Sequence, residues 1–244
     1  MRGCELGKHG SYPRAAGDHY PTPDWAIAAL AEHVDLAGQL IWEPACGAGR
    51  MAEARKAAGA TVHCSDVESR GFPLDALIDF ILASTAPNGF NGTIRIISNP
   101  AFGRQGKIAE RFIAAGRRHT AGGGFLALLL AADFDSAKTR PRFCRDCPPF
   151  AAKIVLTRRI TWFPHPDPDR ERPKENHSWC VWRHSTLRSA SLILYASRNY
   201  AHLATLPRIK TIRTSQLFLA SKLPATAGCP SSTPAILSPE KDQS

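Results

Sequence analysis

The segment 40–49 constrains the fold of this chain more than any other, because it joins a short apolar run to a glycine-rich turn. The apolar run is too short for a helix and is bounded by turn residues, so it predicts a buried strand that ends at Glu43. Gly47 and Gly49 have no Cβ atom, so the backbone there can turn sharply and approach a bound molecule closely. A helix is predicted to begin at Arg50, with its free N–H groups directed at the same place. The alternative interpretation is a glycine turn that binds nothing.

Two carboxylates stand at the ends of the predicted strands on either side of this loop. Asp66 ends the next apolar segment, about 20 residues after the loop, where a nucleotide-binding βαβ unit places the carboxylate that binds ribose hydroxyls. Glu43 lies where a dinucleotide site would hold a phosphate. A carboxylate there repels a pyrophosphate but attracts an ammonium or a sulfonium, which favours S-adenosylmethionine over NAD.

Strands and helices alternate along the rest of the chain, which predicts an α/β doubly wound sheet. A β-branched strand at 93–98 and a helix at about 105–118 precede a continuous apolar strand at 125–130, of the kind that helices bury on both faces. Segments 152–156 and 179–182 predict an antiparallel hairpin at the sheet edge.

The two ends of the chain differ from its middle in composition. Residues 1–17 are polar and glycine-rich and are predicted to be a flexible N-terminus. The folded domain is predicted over 18–184. Residues 185–244 form a C-terminal extension that ends in Pro- and Ser-rich sequence and is predicted to be partly disordered, with one further strand at 191–196.

The net charge and the cysteines indicate which class of partner and which cellular compartment to expect. A net charge of +10 favours a polyanionic partner, with nucleic acid first and a membrane surface second, although a solvated basic face is the plainer explanation. The seven cysteines are odd in number and scattered, and the chain does not open on a signal peptide. The sequence therefore predicts free thiols in a reducing cytoplasm, and no apolar run approaches the length of a membrane span.

Two further stretches are candidates for a site. The strand at 93–98 ends in Asn99-Pro100-Ala101-Phe102, and strand ends of an open α/β sheet lie beside the ligand. The plainer alternative is an Asn-Pro turn that closes a strand. Near the N-terminus, Thr22 is predicted to cap a helix whose first turn contains Pro23.

Three motifs in order carry a family resemblance: Tyr20-Pro21-Thr22-Pro23, then Glu43-Pro44-Ala45-Cys46-Gly47-Ala48-Gly49, then Asn99-Pro100-Ala101-Phe102. Together they resemble the S-adenosylmethionine-dependent methyltransferases that act on amino nitrogens, in particular the adenine-N6 DNA methyltransferases of bacteria and their phages. The resemblance covers about residues 18–184 and implies a class I, Rossmann-like fold with a mostly parallel sheet of the seven-stranded type. It also implies DNA as the partner.

The resemblance implies a role for each matching residue. The cofactor-binding set is Tyr20, Thr22, Glu43, Pro44, Gly47, Gly49, Asp66, Asp79 and Phe80. In the catalytic set, Asn99 and the carbonyl of Pro100 accept hydrogen bonds from the target amine, and Phe102 stacks on the flipped base. Phosphate contacts fall to loop arginines, namely Arg140, Arg142, Arg158 and Arg159. No metal is implied.

One residue departs from the family pattern, and several alternatives stay open. Ala101 replaces the usual second proline, which loosens the turn. The same turn serves an RNA adenine or a protein glutamine, and a relative that binds without turnover is the alternative from another class. An NAD oxidoreductase ranks below these. The residues Cys144, Cys147, His177 and Cys180 have the pairwise spacing of a zinc site, but free cysteines in a loop and a core strand are favoured.

Overall fold

A computed structural model describes residues 20–90, 92–162, 173, 175–183 and 191–196. Its helices are α1 (Asp24–Ala31), α2 (Arg50–Ala57) and α3 (Lys107–His119). Its strands are β1 (Leu40–Glu43), β2 (Thr61–Asp66), β3 (Ala76–Leu77), β4 (Ile94–Ser98), β5 (Gly124–Ala131), β6 (Phe150–Val155), β7 (His177–Arg183) and β8 (Leu192–Tyr195). The predictions for residues 1–17 and for most of 185–244 lie outside the described residues.

These strands form one sheet in the order β3-β2-β1-β4-β5-β7-β6-β8. The neighbouring pairs β3-β2, β2-β1, β1-β4 and β4-β5 are all parallel. Strand β7 runs antiparallel to both of its neighbours, β5 and β6. From β1 the chain builds outward to β3 and then returns to place β4 on the other side of β1. The carboxyl ends of β1 and β4 therefore meet at the switch point, which is where open α/β sheets bind ligands.

The far side of the sheet extends beyond the predicted hairpin. Strands β6 and β7 form the predicted antiparallel pair, but β8 pairs in parallel with β6 and takes the edge position. The strand predicted at 191–196 is thus confirmed, and the described part of the chain contributes eight strands to the sheet. The domain boundary at residue 184 stays a prediction, and β8 continues the sheet past it.

Strand β5 separates two apolar clusters. Its side chains alternate between them, with Phe125, Ala127 and Leu129 in one cluster and Leu126, Leu128 and Leu130 in the other. The first cluster also contains residues of α1 and α2, and the second contains residues of α3. Helices therefore cover both faces of the sheet, which confirms the doubly wound α/β architecture predicted from the continuous apolar run.

The start of α1 differs from the prediction. Pro23 occupies the N-cap position, and no side chain caps the helix. Thr22 lies one residue earlier, is only 3% exposed, and its hydroxyl oxygen accepts a hydrogen bond from the side chain of Asn99. The prediction of Thr22 as the N-cap is therefore wrong, because a residue distant in sequence uses that hydroxyl instead.

The cysteines that the structure describes are all free thiols, at positions 46, 64, 144, 147 and 180. Within the described ranges, none of the helices combines the length and the apolar character that a membrane span requires.

Candidate functional site

The glycine loop is shaped by its two glycines in different ways. Both have a positive φ, 57° at Gly47 and 78° at Gly49, which side-chain-bearing residues rarely adopt. The N–H of Gly47 donates a hydrogen bond of 2.8 Å to Oδ2 of Asp66, which ties the loop to the end of β2. A Cβ atom on Gly49 would lie 2.0 Å from the ring of Phe72. Gly49 is therefore required both by its positive φ and by the packing of Phe72 against the loop, and it does not line the cavity beside this loop.

A cavity of about 360 Å³ opens where the carboxyl ends of the central strands meet. Of the residues singled out from the sequence, those that line it are Tyr20, Thr22, Pro44, Gly47, Asp66, Asp79, Phe80 and Asn99. Those that do not line it are Glu43, Gly49, Pro100 and Phe102. The fold thus brings residues of three separate motifs and the end of β2 to one cavity, at the strand ends where an open α/β sheet is expected to bind a ligand.

Asn99 follows β4 and is held by the segment that precedes α1. Its amide nitrogen Nδ2 donates to the carbonyl oxygen of Tyr20 at 3.1 Å and to Oγ1 of Thr22 at 3.0 Å. A side-chain amide nitrogen has two hydrogens, and both are used by these bonds. The carbonyl oxygen of Tyr20, which can only accept, also fixes which end of the amide is nitrogen. What Asn99 offers to a ligand in the cavity is therefore the acceptor Oδ1.

Of the three residues after Asn99, only Ala101 lines the cavity. Pro100 is buried, whereas Ala101 is half-buried and lines the cavity. Phe102 is half-buried and packs against the apolar cluster that contains α3, and its carbonyl oxygen accepts from the N–H of Ile108 at 3.1 Å. The side chain of Phe102 therefore lies beside the cavity and does not line it, which differs from the position that stacking on a base requires of it.

The acidic residues near the cavity have different surroundings. Asp66 is half-buried, and besides Gly47 it accepts from the N–H of Glu68 at 3.3 Å. Asp79 is exposed, and its Oδ1 accepts from the N–H of Ile81 at 2.9 Å, which closes a tight turn. Both carboxylates keep capacity to accept further hydrogen bonds from a ligand.

Phe80 is mainly a core residue. It is 1% exposed, and its ring packs edge-on against Trp42, with 5.0 Å between ring centres, and in a tilted arrangement against Phe112, with 4.9 Å between ring centres. Only part of the ring borders the cavity, so packing explains most of its surroundings.

The side chain of Glu43 does not line the cavity, although the sequence predicts that it binds the cofactor there. Its side chain is fully buried, one carboxylate oxygen contacts the guanidinium of Arg55 on α2, and the other accepts from Oγ of Ser98 at 2.7 Å. Burial raises the pKa of Glu43, and the adjacent Arg55 and Ser98 oppose that shift. The expectation that Glu43 contacts a bound ammonium or sulfonium is therefore contradicted, because its side chain is fully buried and does not line the cavity.

The side chain of Arg140 is largely buried and binds other protein groups, which differs from the exposed phosphate contact that was expected. Its side chain is 16% exposed and pairs with Glu110 at 3.4 Å. It also donates to the carbonyl oxygens of Phe134 at 3.0 Å and Gln105 at 2.7 Å, which holds the turn that follows Phe102. Arg142 is 66% exposed, so its phosphate contact stays a prediction. The same holds for Arg158 and Arg159, which are also exposed.

Sequence reasoning missed several residues of the site. Val67, Arg70 and Arg111 line the cavity, and Val67 is 66% exposed although it is apolar. The position of Val67 directly after Asp66, at the end of β2, is the signal that places it there. Arg55 was also missed, although its spacing of four residues from Met51 puts it on the buried face of α2.

The possible zinc residues do not form a metal site. No group of three or more His, Cys, Asp or Glu side chains in the described part of the chain is arranged to hold a metal ion. Burial raises the pKa of Cys180 to about 12 and lowers the pKa of His177 to about 4. Both groups are therefore neutral at pH 7.

Comparisons with known proteins bear on the fold. No protein-family profile matches the chain, and no curated protein matches its sequence. A solved structure from Listeria monocytogenes, assigned to the class I S-adenosylmethionine-dependent methyltransferases, is 16% identical, with a TM-score of 0.51 over 81% of this chain and 74% of that one. A Pyrococcus horikoshii protein assigned as an RNA methyltransferase is 18% identical, with a TM-score of 0.49 over 71% of this chain and 91% of that one. A modification subunit assigned to a type I restriction enzyme of Vibrio vulnificus is 13% identical, with a TM-score of 0.49 over 72% and 46%.

At these identities structural similarity bears on architecture and not on activity. The strand order, the helices on both faces and the match to the Listeria structure agree with one another. The chain therefore has the doubly wound α/β fold of the class I methyltransferase-like proteins.

Proposed function

We propose that this chain is an S-adenosylmethionine-dependent methyltransferase that methylates an exocyclic amino nitrogen, with N6 of adenine in DNA as the acceptor. The observation that carries the proposal is the state of Asn99. Both of its N–H groups are used by the Tyr20–Thr22 segment, so an acceptor oxygen remains at the cavity that the glycine loop lines. An oriented acceptor at that position suits a planar amine.

The cavity fits the proposed cofactor. Its volume of about 360 Å³ lies within the range of small-molecule sites, roughly 300–1,000 Å³. Asp66 at the end of β2 lines the cavity, which supports a role in binding ribose hydroxyls, and Val67 beside it offers an apolar surface to an adenine. Asp79 also lines the cavity, which supports a role in accepting from the exocyclic amine of that adenine, and Gly47 lines it beside Asp66. The assignment of the Listeria neighbour as an S-adenosylmethionine-dependent enzyme supports the same choice.

The residues of the chain act on the amine by orientation. S-adenosylmethionine supplies a methyl group on a sulfonium, which is an activated leaving group, so no strongly shifted base is required. The lone pair of adenine N6 is delocalised into the ring, and this makes the amine a poor nucleophile. Asn99 Oδ1 and the Pro100 carbonyl would accept hydrogen bonds from its two N–H groups and turn the lone pair towards the methyl carbon. The amine would take the methyl group from sulfur, which keeps the electron pair of the broken bond, and would then release one proton to water. Most of the acceleration then comes from positioning and fixed dipoles.

Phe102 and the basic residues are assigned to the nucleic acid. Phe102 follows Ala101, which lines the cavity, and we assign its ring to stacking on an extruded base. Arg70 and Arg111 border the cavity, and the chain has a net charge of +10. This charge balance favours a nucleic acid over a protein side chain as the substrate.

A substrate survey tests the proposal. Purified protein is incubated with methyl-labelled S-adenosylmethionine and, in parallel, with mixed-sequence duplex DNA, RNA of the same sequence, and a protein extract. We expect label in the DNA, and mapping of the modified bases should place it on adenine N6 at a defined sequence. Label in RNA or in protein glutamine alone would replace the DNA assignment. Cofactor binding without transfer to any of the three would contradict the enzyme assignment.

A further inference from the structure

Glu43, Arg55 and Ser98 form a buried network that connects the two halves of the site. Arg55 and Glu43 have no exposed side-chain surface, and Ser98 is also fully buried. Arg55 belongs to α2, which begins directly after the glycine loop, and Glu43 ends β1 directly before that loop. Ser98 ends β4 and directly precedes Asn99. The network thus links both sides of the glycine loop to the strand from which Asn99 projects.

The link to Asn99 follows from strand geometry. Neighbouring residues of an extended chain project to opposite sides, so a fixed Ser98 side chain fixes the backbone from which Asn99 projects. The hydrogen bond from Ser98 to Glu43, at 2.7 Å, fixes it relative to β1. On the cavity side, Tyr20 and Thr22 hold the amide itself. The backbone of Asn99 is therefore positioned by the network through Ser98, and its side chain is positioned by the segment before α1.

Stability alone is a poor explanation for such a network. Moving a carboxylate and a guanidinium out of water is costly, and apolar residues of similar volume are often as stable or more stable. A buried charge pair with a third partner does, however, define distances between elements more strictly than apolar contacts, which are non-directional.

We infer that Glu43, Arg55 and Ser98 are positioning residues for the amino-acceptor site, and that Glu43 sets the distance between the glycine loop and Asn99 without contacting the cofactor. This inference rests on the proposed function and adds residues that act on the transfer step through Asn99. It separates Glu43 from cofactor binding, since its side chain is fully buried, does not line the cavity and is bound by Arg55 and Ser98.

The first test is Ser98→Ala, which removes the hydroxyl but keeps the charge pair. Single-turnover methyl transfer should slow by about tenfold or more, while the dissociation constant of S-adenosylmethionine stays within about twofold. The side-chain amide resonance of Asn99 should shift in the ¹⁵N–¹H spectrum of the full chain without any ligand. Thr120→Val is the matched control, because it removes another buried hydroxyl hydrogen bond, of 2.9 Å to Gly116 at the far end of α3. It should leave the rate and the resonance unchanged.

The second test is the paired change Glu43→Leu with Arg55→Met, which removes both charges together and so avoids an unpaired buried charge. We expect a folded protein that binds the cofactor within about threefold of the parent and transfers at least tenfold more slowly. An unchanged rate in Ser98→Ala together with an unmoved Asn99 resonance would overturn the inference. A large loss of cofactor affinity in the folded paired variant would also overturn it and return Glu43 to the cofactor site.

Failure of the proposed function is distinguishable from failure of the inference. A parent protein that methylates nothing contradicts the former, whereas the Asn99 resonance and the cofactor affinity still report on the network.

Discussion

The side-chain amide of Asn99 donates a 3.0 Å hydrogen bond to the hydroxyl of Thr22, a residue 77 positions earlier in the chain. The first residues of the described chain are thereby joined to the turn at the end of β4. The bond removes Thr22 from helix capping and leaves Asn99 with one outward acceptor. It connects a motif that would serve the cofactor with a motif that would serve the amine.

Thr22→Val should therefore impair transfer more than cofactor binding. Valine has nearly the same shape but no acceptor for the Asn99 amide, so the amide loses one of its two anchors. We expect the transfer rate to fall by about tenfold, since misplacement of an orienting group acts on the transition state. Stopped-flow transfer and calorimetric cofactor binding measure the two effects separately. Thr22→Ser keeps the hydroxyl and should restore most of the rate; equal rates in the valine and serine variants would show that the bond has no role.

Asp66→Asn should act on cofactor affinity. The amide retains one oxygen for the N–H of Gly47 but loses the charge-assisted bonds that a carboxylate makes to two ribose hydroxyls. We expect affinity for S-adenosylmethionine to fall by about tenfold or more, measured by calorimetry. Asp75→Asn is the control, because the Asp75 carboxylate accepts from the backbone of Cys64 at 2.7 Å and does not line the cavity. An unaltered dissociation constant for the Asp66 variant would count against the ribose assignment.

Gly49→Ala should destabilise the protein through two separate effects. The residue has a φ of 78°, and the new Cβ would overlap the ring of Phe72. Each effect costs about 1–2 kcal/mol, so urea unfolding should show a loss of about 3 kcal/mol. Gly38→Ala isolates the first effect, because Gly38 has a φ of 67° with no atom within 4 Å of the new Cβ. Equal losses in the two variants would mean that Phe72 moves aside without cost.

The buried imidazole of His177 should make stability fall in mild acid. Burial lowers its pKa in the folded protein from 6.5 to about 4. Between these values the unfolded chain binds more protons, so the free energy of unfolding is highest above about pH 6.5 and declines as the pH falls to 4. The decline due to this residue is on the order of 3 kcal/mol. His177→Phe keeps the ring contact with Trp162 and should flatten the urea-unfolding profile in this range; an equally steep profile would contradict the assignment.

The architecture could be predicted from the sequence because the patterns that indicate each strand and helix are local. The glycine loop has no competing interpretation as helix or strand interior, and the run 125–130 is too apolar to face water on either side. The confirmed strands at 93–98 and 191–196 have β-branched or apolar residues between turn signals. Boundaries moved by a residue or two, as is usual at element ends.

The site was less predictable because its bonds join distant residues. Nothing near Glu43 in sequence indicates that Arg55 and Ser98 would surround it, and its charge alone favoured a ligand role. Thr22 was assigned to the nearest use of a hydroxyl, a helix N-cap, although the acceptor is needed by Asn99. In both cases a local rule was overridden by a long-range polar contact, which a single sequence does not reveal.

Methyl transfer by Asn99→Ala under single-turnover conditions tests the central claim most directly. Mixed-sequence DNA, labelled S-adenosylmethionine and excess protein give the rate, with calorimetry of the cofactor on the same preparation. We expect transfer to be abolished while the cofactor dissociation constant stays within a few-fold of the parent's, and Asn99→Asp, which keeps an acceptor oxygen, to retain part of the rate. Transfer by Asn99→Ala at the parent's rate would contradict the account.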